Sequence, residues 1–150
     1  MKRLVILSDT HGLLREEVKE ELKAADVTLH AGDVDTPAVL DAIQGYGESY
    51  VVRGNNDRTW ARALPQSLIV TLEGVRFFLV HNRKDVPQDL TGVDVVIYGH
   101  SHKFAAQVLD GVLWLNPGSC GKARFHLDLT LCRMEVDQGR YRWERLDLIR

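Results

Sequence analysis

The chain has 150 residues, of which 45% are hydrophobic and 27% charged, and its formal net charge is -2. This composition is typical of globular proteins and argues against a disordered, fibrous or membrane protein. The slightly negative charge gives no general attraction for nucleic acid, whose binding proteins usually carry a basic surface. Because domains commonly hold about 100–150 residues, we expect a single domain over residues 1–150.

Neither an export signal nor a membrane span is predicted. The apolar run after the basic start covers only residues 4–7, which is shorter than the roughly 7–15 residues of a signal-peptide core. No apolar stretch approaches the roughly 20 residues needed to cross a bilayer. We therefore expect a cytoplasmic protein, in which Cys120 and Cys132 form no disulfide.

The first half of the chain predicts alternating strands and helices. Short apolar runs that stop at polar residues predict strands at 4–7, 27–31 and 49–52. Apolar residues at spacings of three and four predict a helix over 13–25. Thr36 as N-cap and Pro37 in the first turn begin a second predicted helix, which ends near residue 43. This alternation favours parallel strand pairing in a layered α/β domain.

The second half predicts hairpins instead. Glu73-Gly74, Asp110-Gly111 and Asp137-Gln138-Gly139 are turn sequences between apolar runs. The flanking strands are expected at 67–72 and 75–80, 104–109 and 112–115, and 127–136 and 141–148. A short helix over 86–90 precedes a further strand over 93–98. Parallel units followed by hairpins are most simply two facing sheets with helices outside.

Five predicted strands end in loops that carry side chains able to bind a metal. These side chains are Asp9 with His11, Asp33, Asn55, His81, and His100 with His102. In open α/β sheets, ligands bind beyond the carboxyl ends of the strands, so groups spread over about ninety positions can meet there. Histidine is the commonest metal ligand. Each of these residues alone is weak evidence for a metal site, but together they predict a metal centre.

These positions lie in motifs that resemble those of the calcineurin-like metallophosphoesterases, and in particular the small bacterial and archaeal branch. The motifs are Ser8-Asp9-Thr10-His11-Gly12, Gly32-Asp33, Gly54-Asn55-Asn56-Asp57, His81, Gly99-His100-Ser101-His102 and Asn116-Pro117-Gly118-Ser119. The resemblance runs from residue 4 to about residue 124. It implies an α/β fold in the form of a four-layer α/β/β/α sandwich with two facing mixed β-sheets.

The resemblance also implies a site for two divalent transition-metal ions. The first ion would take Asp9, His11, Asp33 and His102, and the second would take Asp33, Asn55, His81 and His100. Asp33 would bridge the ions, and Asp33, Asn55 and His100 would have the most direct part in catalysis. Such a pair lowers the pKa of a bridging water, which can then attack a phosphate ester in line. Oxygen and imidazole ligands suit Mn, which we favour, and also Ni, Co, Fe or Zn.

One departure from the wider family concerns the residue after Asn55. Many members carry histidine there, in a role that resembles a general acid, whereas this chain has Asn56. Because an amide cannot give up a proton, we expect activity to depend steeply on the acidity of the leaving group. Asn82 stands where a glycine often follows the ligand His81, and there we expect only a changed loop shape.

Other residues near these loops have weaker interpretations. Four arginines and one tryptophan next to the motifs are candidates for contact with the phosphate or the leaving group, since arginine binds phosphate well. They are Arg53, Arg58, Trp60, Arg83 and Arg124. The remaining residues have structural interpretations: His30 as a buried hydrogen-bonded side chain, Asp57 as a brace for the Asn55 loop, Asn116 and Ser119 as turn residues, and His126 as structural or exposed.

The leading functional hypothesis is a metal-dependent phosphodiesterase that acts on a small-molecule phosphate ester. A phosphomonoesterase or nucleotidase is the nearest alternative. A retromer subunit with the same fold resembles a scaffold, so a binding module is the alternative from another class. The complete set of seven metal ligands favours an enzyme. The sequence leaves the substrate, the metal and a homo-oligomeric state open.

Overall fold

The computed structural model describes residues 1–123 and 127–148. Two helices, ten strands and two short 3₁₀ turns, at Thr59–Ala61 and Arg83–Asp85, make up the secondary structure of these residues. In chain order the helices and strands are β1 Lys2–Leu7, α1 Glu16–Ala24, β2 Val27–His30, α2 Pro37–Gly45, β3 Glu48–Val51, β4 Ser67–Leu72, β5 Val75–Val80, β6 Val95–Ile97, β7 Ala105–Leu109, β8 Val112–Asn116, β9 Thr130–Asp137 and β10 Arg140–Asp147.

The strands form two mixed sheets of five strands each. The first sheet has the order β10-β9-β1-β2-β3, and its β1, β2 and β3 run parallel. The second has the order β4-β5-β6-β8-β7, with β5, β6 and β8 parallel. Each sheet thus contains three neighbouring parallel strands, and the candidate ligands lie in loops at the carboxyl ends of such strands.

The core lies in layers on both sides of the first sheet. Along β1, Leu4 and Ile6 face the second sheet, where Phe77 and Leu79 belong to the same buried cluster. The alternate residues Val5 and Leu7 pack instead in the cluster under the helices. Strand β1 is therefore apolar on both faces, which explains why its sequence is a continuous apolar run.

The two-sheet α/β sandwich predicted from the sequence is confirmed, but several boundaries differ. Helix α1 begins at Glu16 rather than at residue 13, because Leu13 closes a turn onto the carbonyl of Thr10 at 3.0 Å. The N-cap at Thr36 is confirmed, since its Oγ1 accepts from the Val39 N–H at 3.3 Å. The three predicted hairpins are present.

The helix predicted over 86–90 is wrong. Only the 3₁₀ turn Arg83–Asp85 forms in this segment. Pro87 disfavours a helical conformation at the residue before it, and it supplies no N–H. Val86 and Leu90 nevertheless pack against the outer face of the second sheet, so an irregular segment covers that face.

Two further expectations concern the cysteines and the helices. Cys120 and Cys132 are both buried free thiols, as predicted, and burial raises the pKa of each to about 12. Among the described residues, neither helix combines the length and the apolar character that crossing a bilayer requires.

Candidate metal centre

Four of the predicted ligands meet at the carboxyl ends of the first sheet's central strands. Asp9, His11, Asp33 and His102 each offer one ligand atom, and these atoms all lie within 4.8 Å of one another. We call these four residues the inner set. Asp9 and His11 follow β1, and Asp33 follows β2. His102 comes from the loop between β6 and β7, so the second sheet completes the cluster.

The distances within the inner set fit a single ion. His11 Nε2 lies 3.0 Å from His102 Nε2. It lies 3.6 Å from Asp9 Oδ1 and 3.9 Å from Asp33 Oδ2, and His102 Nε2 lies 3.3 Å from Asp9 Oδ1. Ligands about 2.0–2.2 Å from a common metal stand roughly 3–4 Å apart. The four side chains therefore have the spacing that a bound ion requires.

Two of the predicted ligands have a buried polar atom without a hydrogen-bond partner among the described residues. These atoms are Asp9 Oδ1 and His81 Nε2, which lie 4.0 Å apart, and Asp35 Oδ1 is a third such atom nearby. Buried polar atoms are normally satisfied, and an exception needs an explanation. A cation between the two atoms would satisfy both, so the chemistry of the donors fits a metal.

The remaining ligands predicted for the second ion form a more open group. His81, Asn55 and His100, which we call the outer set, adjoin the inner set through Asp33, since His81 Nε2 lies 3.3 Å from Asp33 Oδ2. The His100 ring contacts the His81 ring at 5.3 Å between centroids. His81 is buried, but Asn55 and His100 are exposed. The structure thus places all seven predicted residues around one edge of the sandwich, but it gathers the inner set more tightly.

Residues with a positive φ are concentrated at the candidate metal centre. Among the described residues other than glycine, nine have a positive φ, and three of these are in hairpin turns: Glu73, Asp110 and Gln138. The other six are all at the candidate centre: Asp9, His11, Asp33, Asp35, His100 and His102. A left-handed conformation costs energy for most residues and persists where the surroundings impose it, often at functional sites. The loops are therefore held in place by the fold.

Asp57 is one cause of this rigidity. Its carboxylate accepts hydrogen bonds from the backbone N–H groups of Asp33, Asp35 and Gly54 at 3.0, 2.8 and 2.9 Å. It thereby joins the loop after β2 to the loop after β3. The bracing role predicted for Asp57 is confirmed, and it extends to the loop that carries Asp33.

His30 supports the site from below, as predicted. It is fully buried; its Nδ1 accepts from the Gly32 N–H at 2.9 Å, and its Nε2 lies 3.1 Å from Thr10 Oγ1. Because Nδ1 is an acceptor, the proton sits on Nε2 and is donated to Thr10. Burial lowers the pKa of His30 to about 4, so the ring stays neutral near pH 7.

The turn after β8 also touches the centre. The Asn116 amide donates to the carbonyl of Gly99 at 3.1 Å, and its oxygen accepts from the Gly118 N–H at 2.9 Å. Ser119 donates to the carbonyl of Asp9 at 2.9 Å. The predicted turn thus anchors the loops of Asp9 and His100.

Asp35 is a site residue that the sequence analysis missed. Its Oδ2 accepts from His11 Nδ1 at 3.0 Å, so that His11 Nε2 is the nitrogen directed at the inner set. A carboxylate behind a histidine ligand fixes the tautomer and raises the basicity of the ligand. The Ala31 carbonyl has the same function for His81, whose Nδ1 it contacts at 2.8 Å. The spacing Asp33-Val34-Asp35 was the available signal.

The electrostatics of the centre favour bound positive charge. Burial opposes ionisation of Asp9, but the adjacent imidazoles of His102 and His11 and the hydrogen bond from Ser8 outweigh it and hold the pKa of Asp9 well below its usual value. The pKa of Asp33 is lowered in the same way, against the effect of burial, by His81 and the Asn56 N–H. Two buried carboxylates that stay ionised next to imidazoles are a typical setting for a metal cation.

The structure separates the other candidates for substrate contact. Arg53 lines a cavity that includes Asn55 and His81. Arg83 instead stacks on Trp114, with the guanidinium carbon 4.7 Å from the ring centroid, and Trp60 packs against the buried cluster under the helices. Arg58 is exposed. Arg124 and His126 lie outside the described residues.

A family model for the calcineurin-like phosphoesterase superfamily domain matches residues 1–139. The chain belongs to this family. A probable metallophosphoesterase of Methanothermobacter thermautotrophicus is 32% identical over 129 residues, which cover 76% of this chain and 74% of the relative.

Two other matches concern a relative with a named activity and a solved structure. A protein of Methanocaldococcus jannaschii that is 26% identical over 140 residues, covering 79% of this chain and 84% of the relative, is named a phosphodiesterase. A single-mutant Vps29 from Entamoeba histolytica has a TM-score of 0.77 at 19% identity, and the match covers 98% of this chain and 99% of that one. At that identity the Vps29 match shows a common fold alone.

Proposed function

We propose that this calcineurin-like phosphoesterase is a phosphodiesterase that works with two divalent transition-metal ions. The observation that carries the proposal is the inner set, in which four ligand atoms lie within 4.8 Å of one another next to two unsatisfied buried atoms. The relative from Methanocaldococcus jannaschii that is named a phosphodiesterase supports the choice of diester over monoester.

In this proposal the inner set holds one ion, and Asp33 with the outer set holds the other. Asp33 suits the bridging position because its Oδ2 lies 3.9 Å from His11 Nε2 and 3.3 Å from His81 Nε2. When bound, such a pair of ions lowers the pKa of a water nucleophile and offsets the negative charge of the phosphate. Mn is the metal we favour, with Ni, Co, Fe and Zn as alternatives.

The residues of the chain itself position the reaction. Asp35 and the Ala31 carbonyl fix which nitrogen of His11 and His81 faces the site. His100 and Asn55 are exposed, so they stand where a substrate can reach them. The Asn56 N–H donates to Asp33 Oδ1 at 2.8 Å, which holds the bridging carboxylate in place.

Asn56 defines the expected range of substrates. Its side-chain amide lies 3.5 Å from His11 Nδ1 and is too weak an acid to transfer a proton to a leaving group. Asn56 therefore cannot act as a general acid for the expulsion of a basic alkoxide, so activity should favour acidic leaving groups such as nitrophenol. Equal turnover of aryl and alkyl phosphodiesters would contradict this.

The proposal is tested by metal replacement. Metal-stripped protein should fail to hydrolyse bis-p-nitrophenyl phosphate, and added Mn, Ni, Co, Zn or Mg should restore activity to different extents. p-Nitrophenyl phosphate, assayed in parallel, separates a diesterase from a monoesterase. Absence of hydrolysis with every metal would favour the alternative hypothesis, in which the chain is a non-catalytic scaffold.

A cytoplasmic location, a single domain over residues 1–150 and a homo-oligomeric state stay predictions.

A further inference from the structure

A cavity of about 360 Å³ opens directly beside the outer set. Two outer-set residues, Asn55 and His81, form part of its wall, so a group bound at the metal centre would extend into this cavity. The rest of the lining consists of Arg53, Gly54, Leu64, Gln66, Val80, Asn82 and Asp85.

Arg53 supplies a positive charge to this wall. Its Nε donates to the carbonyl of Asp57 at 3.2 Å, and Asp57 is itself fixed by four backbone N–H groups. Within residues 1–123 and 127–148 the guanidinium forms no ion pair, so its other N–H groups stay available. An exposed arginine that is held by a rigid loop next to a phosphate site is suited to contact phosphate oxygens bidentately.

Asp85 places a negative charge in the same cavity. It ends the 3₁₀ turn Arg83–Asp85, its side chain is exposed, and the described residues give its carboxylate no ion pair. Asn82 Oδ1 accepts from the Lys84 N–H at 3.0 Å, which leaves the Asn82 amide hydrogens free. A second phosphate would be repelled by Asp85, whereas hydroxyl or amine donors would be attracted.

The wall also has an apolar part, to which Leu64 and Val80 contribute. A flat ring can cover such side chains while its edge makes hydrogen bonds. The cavity therefore combines one cation, one hydrogen-bond-accepting carboxylate, amide groups and an apolar surface.

We propose that this cavity binds the ester substituent that the phosphodiester keeps, and that it selects a nucleoside over a simple alkyl group. Arg53 contacts the phosphoryl oxygens, and Asp85 accepts hydrogen bonds from the base or sugar. The inference rests on the proposed phosphodiesterase function. Water attacks phosphorus and its proton passes to solvent, the bond from phosphorus to the leaving oxygen breaks, the leaving group departs as its oxyanion or takes a proton from solvent, and a nucleoside monophosphate remains in the cavity.

Two substrates with one leaving group test the proposal. Thymidine 5′-(p-nitrophenyl phosphate) and methyl p-nitrophenyl phosphate differ only in the retained group, so the leaving-group effect of Asn56 cancels. The Mn-loaded protein should show a kcat/KM at least roughly 10-fold higher for the thymidine ester, as expected for one or two added hydrogen bonds. A ratio near one would overturn the proposal.

Variants assign the two charges. Asp85→Asn should lower kcat/KM for the thymidine ester more than for the methyl ester, so that the ratio of the two values falls toward one. Arg53→Gln should raise KM for both esters more than it lowers kcat. Arg62→Gln, at an exposed arginine that does not line the cavity, should match the wild type. An unchanged ratio in Asp85→Asn together with an unchanged KM in Arg53→Gln would contradict the assignment.

Binding separates a failure of this inference from a failure of the proposed function. If neither ester is hydrolysed with any metal, the phosphodiesterase proposal is wrong, and calorimetry on the Mn-loaded protein still tests the cavity. Thymidine 5′-monophosphate should bind at least roughly 10-fold more tightly than inorganic phosphate, and Asp85→Asn should reduce this difference. Equal affinity for the two ligands would overturn the cavity assignment.

Discussion

The inner and outer sets of the candidate metal centre differ in how completely the protein surrounds them. Asp9, His11 and Asp33 are at most 4% exposed, and they are held by buried hydrogen bonds and by positive-φ backbone. Asn55 and His100 of the outer set are exposed. Three of the four inner-set side chains are thus enclosed by the folded chain, whereas two of the three outer-set side chains lie where substrate and solvent have access.

This difference suggests a division of labour. A preorganised group of ligands binds its ion with little further ordering, so the inner position should be the tighter one. The outer position faces the cavity lined by Arg53 and Asp85. There, looser binding goes together with access for a phosphate ester.

The largest expected effect comes from the contact between the loops of the two sets. A methyl group at Gly54 would overlap the backbone nitrogen and the carboxylate of Asp33. Gly54→Ala should lower the free energy of unfolding by about 3 kcal/mol or more, as measured by urea denaturation. Gly45→Ala is the control, because nothing lies within 4 Å of the added methyl group; equal stability of the two variants would contradict this packing.

The next effect concerns Asp33, the carboxylate proposed to bridge the two ions. Asp33→Asn removes the charge of the proposed bridge and should reduce hydrolysis of bis-p-nitrophenyl phosphate at least roughly 100-fold, more than the loss of a residue that only supports a ligand. Asp41→Asn, at an exposed position of α2, is the control. Activity within a factor of a few of the wild type in Asp33→Asn would argue against a shared ligand.

A smaller effect should act on the inner set alone. Asp35→Asn weakens the hydrogen bond to His11 Nδ1 and should reduce the affinity of the tighter Mn site by about 10- to 100-fold. The control is Asp110→Asn, at a hairpin residue that also has a positive φ. Calorimetric Mn titration measures both, and an equal affinity in the two variants would show that Asp35 does not position His11.

The smallest effect is on the pH dependence of stability. The folded pKa of His30 is about 4, below the value of about 6.5 for an unfolded chain, so its contribution to stability is present above pH 6.5 and is lost as pH falls toward 4. Between pH 7 and pH 5 the metal-free wild type should lose about 2 kcal/mol more than His30→Gln. The free energy of unfolding of both proteins is measured by urea denaturation at each pH, and an equal dependence on pH in the two would contradict this.

The sequence predicts the inner and outer sets equally well but not the difference between them. The strand ends could be located because β1 is apolar on both faces and stops abruptly at Ser8 and Asp9. The late start of α1 could not, because the loop before it is shaped by the long-range pairing of the Gly12 N–H with the Val34 carbonyl at 2.9 Å. The role of Asp35 depends on the same pairing, which only the folded chain shows.

The exposure of Asn55 and His100 was also beyond sequence reasoning. Residues after a strand look alike in sequence, whether the opposite sheet covers them or not. Asp57, by contrast, was identified from its place beside Asn55, and the structure confirms its bracing role through backbone contacts. Local motifs therefore identify candidate ligands, and packing between the two sheets decides how firmly each is held.

The central claim, two ions held with unequal strength, is most directly tested by calorimetric titration of the metal-stripped protein with Mn. The wild type should bind two ions per chain with separate affinities. Asn55→Ala should lose the weaker step and keep the tighter one, because Asn55 is exposed and lies with His81 in the cavity wall beside the outer position. Binding of one ion or none by the wild type, or loss of the tighter step in Asn55→Ala, would contradict the account.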